Sequence, residues 1–318
     1  MPADVAVLRV KVHGLSAAAY ADALRERLPD REVVCARTPG EAERLVRETP
    51  VVTGYDVDPA VLDDAAIEYF ACVYAGTDHL PLDALADHGV AVTDAAGVHA
   101  PNVAEHAVGA VLSFARRFHV GWRRADRREW RSYQARELAG STVTVVGQGH
   151  IGEAVVERLA AFDVHTVGVR HTPSRGGPAE EVVGYDEESV HDALSRSDYV
   201  VVAAPLTDLT EGLLDAEAFR TLPPDAVVVN VGRGPIVDTD ALVDALRRNA
   251  VGGAALDVTD PEPLPADHPL WTFDNVLVTP HNAGHTPEYW DRTADIVAEN
   301  VRRAAETGAY DGLRNQVV

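Results

Sequence analysis

Lysine is nearly absent: Lys11 is the only one in 318 residues, and every other member of the 28 basic residues is an arginine. Cysteine is scarce too. Cys35 and Cys72 match neither a metal-binding spacing nor a disulfide framework, which predicts a reducing, cytoplasmic setting and no metal. Long apolar runs are missing. The most apolar stretch, 98–115, is broken by His99, Asn102, Glu105 and His106, so no segment is expected to span a bilayer. The N-terminal ADVAVLRVKVHG alternates like a strand and lacks the regions of a signal peptide. Low-complexity linkers and repeats of fixed period are absent as well.

What is abundant is negative charge. Asp and Glu total 50, giving a formal charge of −22. Such a surface repels nucleic acid and anionic membranes, which excludes both as partners. The excess predicts adaptation to high internal salt, where screening over about 3 Å removes the self-repulsion of carboxylates. A GC-rich genome would explain arginine in place of lysine, but not the surplus of acid. Hydrophobic content of 46% and charged content of 25% are ordinary for a globular chain, and the length allows two domains with cores.

Strand-like apolar runs alternate with helical ones throughout, the pattern of an α/β fold with mainly parallel sheets. In the first hundred residues, strands are expected at 5–12, 32–36, 50–54, 69–73 and 90–93, with a helix over 16–28. A long helix is expected over 101–118, with Pro101 in its first turn. A second series follows, with strands at 141–147, 164–169, 199–204, 226–231, 252–258 and 275–280, and a last helix over 287–307. Six strands with intervening helices are what a complete dinucleotide-binding half would show.

Two motifs in the second series carry chemistry. GQGHIG at 147–152 follows the strand STVTVV and opens the helix EAVVERLAAF. Gly147 permits the tight turn, Gly149 lets backbone N–H groups approach a pyrophosphate, and Gly152 allows helix and strand to pack. The helix N-terminus adds a favourable dipole. In that setting the motif predicts a bound dinucleotide rather than an empty glycine turn. The second motif is VVVNVGRGPIVD at 227–238, where Arg233 stands at the end of a strand that reads as buried on both faces. A buried guanidinium is costly unless an anion meets it. A structural salt bridge and a bound carboxylate or phosphate are both open from that stretch alone.

Two more polar residues stand at later strand ends: Glu262 in LDVTDPEPLP and His281 in VTPHNAGHT. Each alone has a bland reading, as turn residue or satisfied histidine. Together with Arg233, at the carboxyl ends of strands where doubly wound sheets bind ligands, they suit an anionic carbonyl substrate. The arginine fork clamps a carboxylate, the histidine handles a proton, and the glutamate orients and charges the histidine.

The whole set resembles the D-isomer-specific 2-hydroxyacid dehydrogenases, a family that includes D-lactate dehydrogenases, glyoxylate/hydroxypyruvate reductases and phosphoglycerate dehydrogenases. YAGTDHL at 74–80, AGVHAPNVAEHAVGAVL at 96–112, GQGHIG, PLTDLTEGLL at 205–214, NVGRGPIVD, ALDVTDPEPLP and TPHNAGHT follow in family order. The resemblance implies two Rossmann-like doubly wound domains separated by a cleft. A flavodoxin-like substrate domain would take 1–99 and 290–318, and a dinucleotide-binding domain 100–289. It implies Arg233 as binder of the substrate carboxylate and carbonyl, His281 as general acid/base, and Glu262 as its partner. Backbone groups of Ala75, Gly76 and Thr77 would complete the carboxylate site, and Asp257 would hold the nicotinamide amide. Cofactor contacts are implied for Gly147, Gly149, His150, Ile151, Gly152, Ala204, Pro205, Thr210, Val231 and Gly232.

One departure concerns the cofactor. NAD-preferring members carry an acidic residue at the end of the second strand. Here that strand ends VGVRHTPSR, with Arg170 in the position and no carboxylate until Glu180. Arg170, His171 and Thr172 therefore predict NADP, with NAD possible and Arg175 a weaker candidate for the phosphate. The family resemblance also implies a homodimer, through the helix 101–118 and the segment after it. Trp122 and Trp130 would be interface anchors or core residues.

Rival readings have distinguishable signatures. Formate dehydrogenases would carry glutamine where Glu262 stands. Phosphoglycerate dehydrogenases often extend into a regulatory domain, whereas this chain ends at residue 318. A NAD(H)-sensing transcriptional corepressor uses the same fold as a binding module; the expected NADP site and the lack of a partner-recruiting tail argue for the enzyme.

Overall fold

The structure, a computed structural model, describes residues 3–318. The chain divides into two compact units: one of residues up to His99 together with His285–Val318, the other Ala100–Gly284.

The first unit is built on five parallel strands: Val5–Val7 (β1), Val33–Cys35 (β2), Val51–Gly54 (β3), Tyr69–Cys72 (β4) and Ala91–Thr93 (β5), ordered β2-β1-β3-β4-β5. This is the flavodoxin-like order. The central strands are buried along their whole length, which is why they carry no charged residue. Their polar groups are satisfied internally: the Tyr20 hydroxyl bonds Thr53 at 3.0 Å and the Tyr69 hydroxyl bonds Thr93 at 2.7 Å. Burial pushes the Tyr69 phenol up to about 12. The helix Ala17–Arg27, capped by Ser16, packs on the helix Tyr289–Thr307, where Tyr20 stacks on Trp290 at 4.5 Å. The strand expected over 5–12 is shorter. It ends at Val7, and Lys11–Val12 pairs antiparallel with Leu15–Ser16 around His13 and Gly14, both at positive φ.

The second unit carries seven parallel strands: Thr142–Val146 (β6), His165–Val169 (β7), Glu181–Val183 (β8), Tyr199–Val202 (β9), Val227–Asn230 (β10), Gly253–Leu256 (β11) and Val276–Val278 (β12). They run in the order β8-β7-β6-β9-β10-β11-β12. The strand order reverses between β6 and β9, and the crevice at such a switch point is where open α/β sheets hold ligands. Strand β8 has no counterpart among the expected strands. It is three residues long, lies at the sheet edge and is only partly buried, so it lacks a strong apolar run. The helix expected over 101–118 stops at Ala115. Arg117 takes a left-handed conformation, φ 52°, and a separate helix covers Phe118–Asp126. Trp122 and Trp130 are both exposed, which removes the core-packing reading of these two residues. No described helix is long and apolar enough to cross a membrane.

Candidate active site

The glycine motif sits at the switch point. Gly147 follows β6 with φ 95°, and a Cβ there would come within 2.6 Å of the Ala204 backbone. A Cβ on Gly152 would lie 1.8 Å from the Gly147 carbonyl oxygen, so the helix His150–Leu159 meets the strand only through glycine. Gly149, the residue preceding that helix, has open space on its Cβ side. A cavity of about 580 Å³ lies here. Of the residues expected to contact cofactor, Gly147, Gly149, Arg170, His171, Thr172, Pro205 and Thr210 line it. Gln148, Tyr185 and Leu209 line it too and were not anticipated. A helix N-terminus opening on a glycine-walled cavity of this size fits a dinucleotide.

The remaining expected contacts have other surroundings. Gly152 is consumed in packing. Ala204 backs both Gly147 and Gly232, whose Cβ would lie 2.7 Å from the Ala204 oxygen, and Val231 is buried beside them. His150 is exposed and Ile151 partly buried in the first turn of the helix. Thr210 is buried and staples its own loop, donating to Pro205 O at 2.7 Å and accepting from Thr207 N at 2.8 Å.

Arg170 faces the cavity with its charge already engaged. The side chain is 11% exposed, pairs with Glu153 at 3.4 Å and donates to the carbonyl of Gly176. It thereby closes the turn Pro173–Arg175 onto the end of β7. His171, Thr172 and Arg175 are exposed around it, with His171 Nδ1 3.3 Å from Thr172 Oγ1.

The three residues expected to act on substrate stand after neighbouring strands. Arg233 follows β10, Glu262 follows β11 and His281 follows β12. Glu262 and His281 meet directly, Oε1 to Nδ1, at 2.7 Å. Because a carboxylate only accepts, Nδ1 carries the proton in this contact and Nε2 is left for another partner. His281 itself is held in a left-handed conformation, φ 51°.

Asp257, at the end of β11, organises that loop. Its Oδ1 accepts from Thr279 Oγ1 at 2.6 Å and Asn282 N at 2.8 Å, and its Oδ2 accepts from Ala283 N at 2.9 Å. Its own carbonyl accepts from His281 N at 2.8 Å. The carboxylate expected to hold the nicotinamide amide is thus 2% exposed and bonded to the histidine loop. His106 approaches Thr279 Oγ1 at 3.2 Å, and Asn102 donates to Ala283 O at 2.7 Å. These supports were not anticipated from sequence.

Arg233 differs from its expectation in one respect. Val231 and Gly232 are buried, but Arg233 is exposed, so the argument from burying a guanidinium does not apply. One of its nitrogens donates to Gly232 O at 2.8 Å, and no ion pair with a carboxylate forms among the described residues. Its turn is held by Asn230, fully buried, which donates to Arg233 O and accepts from Gly232 N, both at 3.0 Å. A Cβ on Gly234 would come within 2.0 Å of Thr259 O, so only glycine lets this turn approach the loop that leads to Glu262. In the first unit, Ala75 and Gly76 are exposed just beyond β4, and Leu80 N closes the turn on Thr77 O at 2.9 Å.

The chain is similar to known proteins. The model of the D-isomer specific 2-hydroxyacid dehydrogenase NAD-binding domain matches residues 108–283. The chain is 37% identical to a glyoxylate reductase of Thermofilum pendens over 257 residues, 77% of this chain and 74% of that one. It is 36% identical to a D-3-phosphoglycerate dehydrogenase of Mycobacterium tuberculosis over 279 residues, where it spans about half of the relative's length (51%). A crystal structure of a D-isomer specific 2-hydroxyacid dehydrogenase from Xanthobacter autotrophicus, in complex with NADPH and MES, superposes with a TM-score of 0.77. That protein is 30% identical, and the match covers 99% of this chain and 98% of that one.

Proposed function

The chain belongs to the D-isomer-specific 2-hydroxyacid dehydrogenases, and on that premise we propose that it reduces a 2-oxoacid to the D-2-hydroxyacid with NADPH, using His281 as the acid. The observation that carries the reading is the 2.7 Å contact of Glu262 with His281, which leaves Nε2 for substrate. A nicotinamide dinucleotide, when bound, supplies the hydride. Gly147 and Gly149 would hold its pyrophosphate at the helix N-terminus.

The protein's own residues do the rest. Arg233, exposed and without a carboxylate partner, presents its fork to the substrate carboxylate. His281 delivers a proton from Nε2 to the carbonyl oxygen as it becomes a hydroxyl, and Glu262 holds the ring through Nδ1. Asp257 and Asn102 fix the loop so that the histidine need not reorganise. The family resemblance also assigns backbone groups of Ala75, Gly76 and Thr77, in the first unit, to the substrate.

The preference for NADPH rests on four residues. Arg170 is committed to Glu153 and Gly176, so it braces the turn and cancels a carboxylate near the phosphate. His171, Thr172 and Arg175 then offer the direct contacts to the 2′-phosphate. The exposed Phe118, Trp122 and Trp130, in a segment rich in arginine, support a homodimer. Light scattering should then give twice the chain mass. The charge of −22 supports a working environment of high salt in the cytoplasm.

The reading is tested by following NADPH absorbance with a panel of 2-oxoacids and resolving the product on a chiral column. A D-2-hydroxyacid formed stoichiometrically is expected. Nucleotide binding without turnover would instead support the corepressor-like module.

A further inference from the structure

Charge is unevenly spread along the second unit. Residues 116–136 hold eight arginines against two carboxylates, Asp126 and Glu129, in a chain whose formal charge is −22. Part of that stretch folds around a cavity of about 280 Å³, distinct from the glycine-walled one. The helix Phe118–Asp126 gives it His119, Arg123 and Arg124, and the return that follows gives Arg127, Glu129 and Arg131. Asp274, just before β12, lines it too.

Two of the arginines build the walls. Arg124 donates to the carbonyl oxygens of Arg131 and Ser132, both at 2.7 Å, and its guanidinium lies 5.2 Å from the centre of the Tyr133 ring. Arg123 pairs with Asp274 at 3.3 Å and donates to Phe273 O at 3.4 Å. Arg127 and Arg131 are exposed, and neither forms an ion pair with a carboxylate among the described residues. Asp274 is committed to Arg123, which leaves Glu129 as the one lining carboxylate without an ion pair among those residues. Arginines near a helix C-terminus commonly offset its dipole or cover its last carbonyls. Arg124 instead reaches carbonyls beyond the helix, and Arg131 lies past it in sequence, so that role does not account for them.

We propose that this cavity binds a phosphate dianion, free or carried by a small metabolite, through the forks of Arg127 and Arg131. A guanidinium presents paired N–H donors that match phosphate oxygens, and two of them outweigh the single Glu129. The volume falls below the roughly 300–1,000 Å³ of sites for drug-sized ligands, which points to a small anion. The site lies within the second unit and is independent of the reductase reading. The proposed contact between copies uses a different row of the same helix. Phe118 and Trp122, with ring centroids 6.2 Å apart, form one row, and His119, Arg123 and Arg127 form the next.

His119 reports on the site. Burial, then the Arg123 and Arg117 guanidiniums, hold its imidazole below the ordinary histidine range, against the opposing pull of the Ser113 backbone and Asp274. A dianion beside it should move it upward.

The test is isothermal titration of the NADPH-saturated full chain with inorganic phosphate, at an ionic strength fixed with KCl and with acetate as the control anion. NADPH fills the cofactor cavity, so phosphate is left with the second one. Saturable binding is expected, about tenfold or more tighter than that of acetate. Arg127→Ala and Arg131→Ala should each weaken it about tenfold. Arg128→Ala removes an exposed arginine that does not line the cavity and should leave binding unchanged. Phosphate should raise the pH at which the His119 ring protons titrate in the NMR spectrum, and NADPH affinity should be equal in all three variants. Melting curves identify any variant that fails to fold. Arg127→Lys, which keeps the charge and loses the fork, then carries the comparison, with weaker phosphate binding expected. No saturable phosphate binding, equal binding of acetate, or an equal loss in Arg128→Ala would overturn the site.

Discussion

Glu262 Oε1 lies 2.7 Å from Nδ1 of His281, a contact made across 19 residues of chain. It fixes which ring nitrogen is spent on orientation and which is left for chemistry. In the proposed reaction, reduction takes a proton from His281 and oxidation of the hydroxyacid returns one to it. Reduction should therefore slow as pH rises, and oxidation should slow as pH falls. Glu262→Gln removes a charge-assisted bond worth roughly 1.5–3 kcal/mol, which corresponds to about a ten- to hundredfold loss in kcat for reduction. Steady-state rates in both directions across pH check this. Coincident profiles would deny His281 its role.

Arg233 presents a fork rather than a point charge. Arg233→Lys keeps the charge but cannot hold a carboxylate by two parallel bonds. We expect a higher KM for the 2-oxoacid and a lower kcat, with NADPH affinity little changed. Isothermal titration with NADPH alongside the kinetics separates the two effects. Unchanged kinetics would make Arg233 structural.

The proposed preference for NADPH rests on residues at the end of β7. Arg175→Ala should cut the ratio of kcat/KM for NADPH over NADH about tenfold, the loss of one charge-assisted bond. Arg170→Asp sets a carboxylate beside Glu153 and releases Gly176, so it should invert the ratio. Equal use of both cofactors, unmoved by either substitution, would contradict the phosphate site.

The fold class, most strands and the glycine motif were legible because they rest on local signals. Val227–Asn230 is buried on both faces and reads as such, and Gly147 and Gly152 are required by backbone approaches that any side chain would block. What escaped depends on partners distant in sequence. Asn230 ends an all-valine strand, and a buried amide there is a signal that could have been weighed, since it must find partners. His106 and Asn102 reach Thr279 and Ala283 across more than 170 residues, which no local pattern encodes. Arg233 was expected to be buried because its strand is. One turn beyond the strand suffices to expose it.

Salt should stabilise this protein. A formal charge of −22 remains after every arginine is counted, and exposed pairs such as Arg44–Glu48 and Arg196–Glu181 contribute little each. Raising KCl from low salt to the molar range, where the Debye length is about 3 Å, should raise both melting temperature and activity. Full stability and activity in dilute buffer would contradict a high-salt habitat.

The central claim is that His281 is the proton donor of a 2-oxoacid reductase. The most direct measurement pairs turnover with cofactor binding in one variant. His281→Ala should lose about 10²- to 10⁴-fold in kcat for 2-oxoacid reduction, the range of a positioned acid. Its dissociation constant for NADPH, followed by nucleotide fluorescence, should stay at the wild-type value. Turnover close to wild type in that variant would contradict the account.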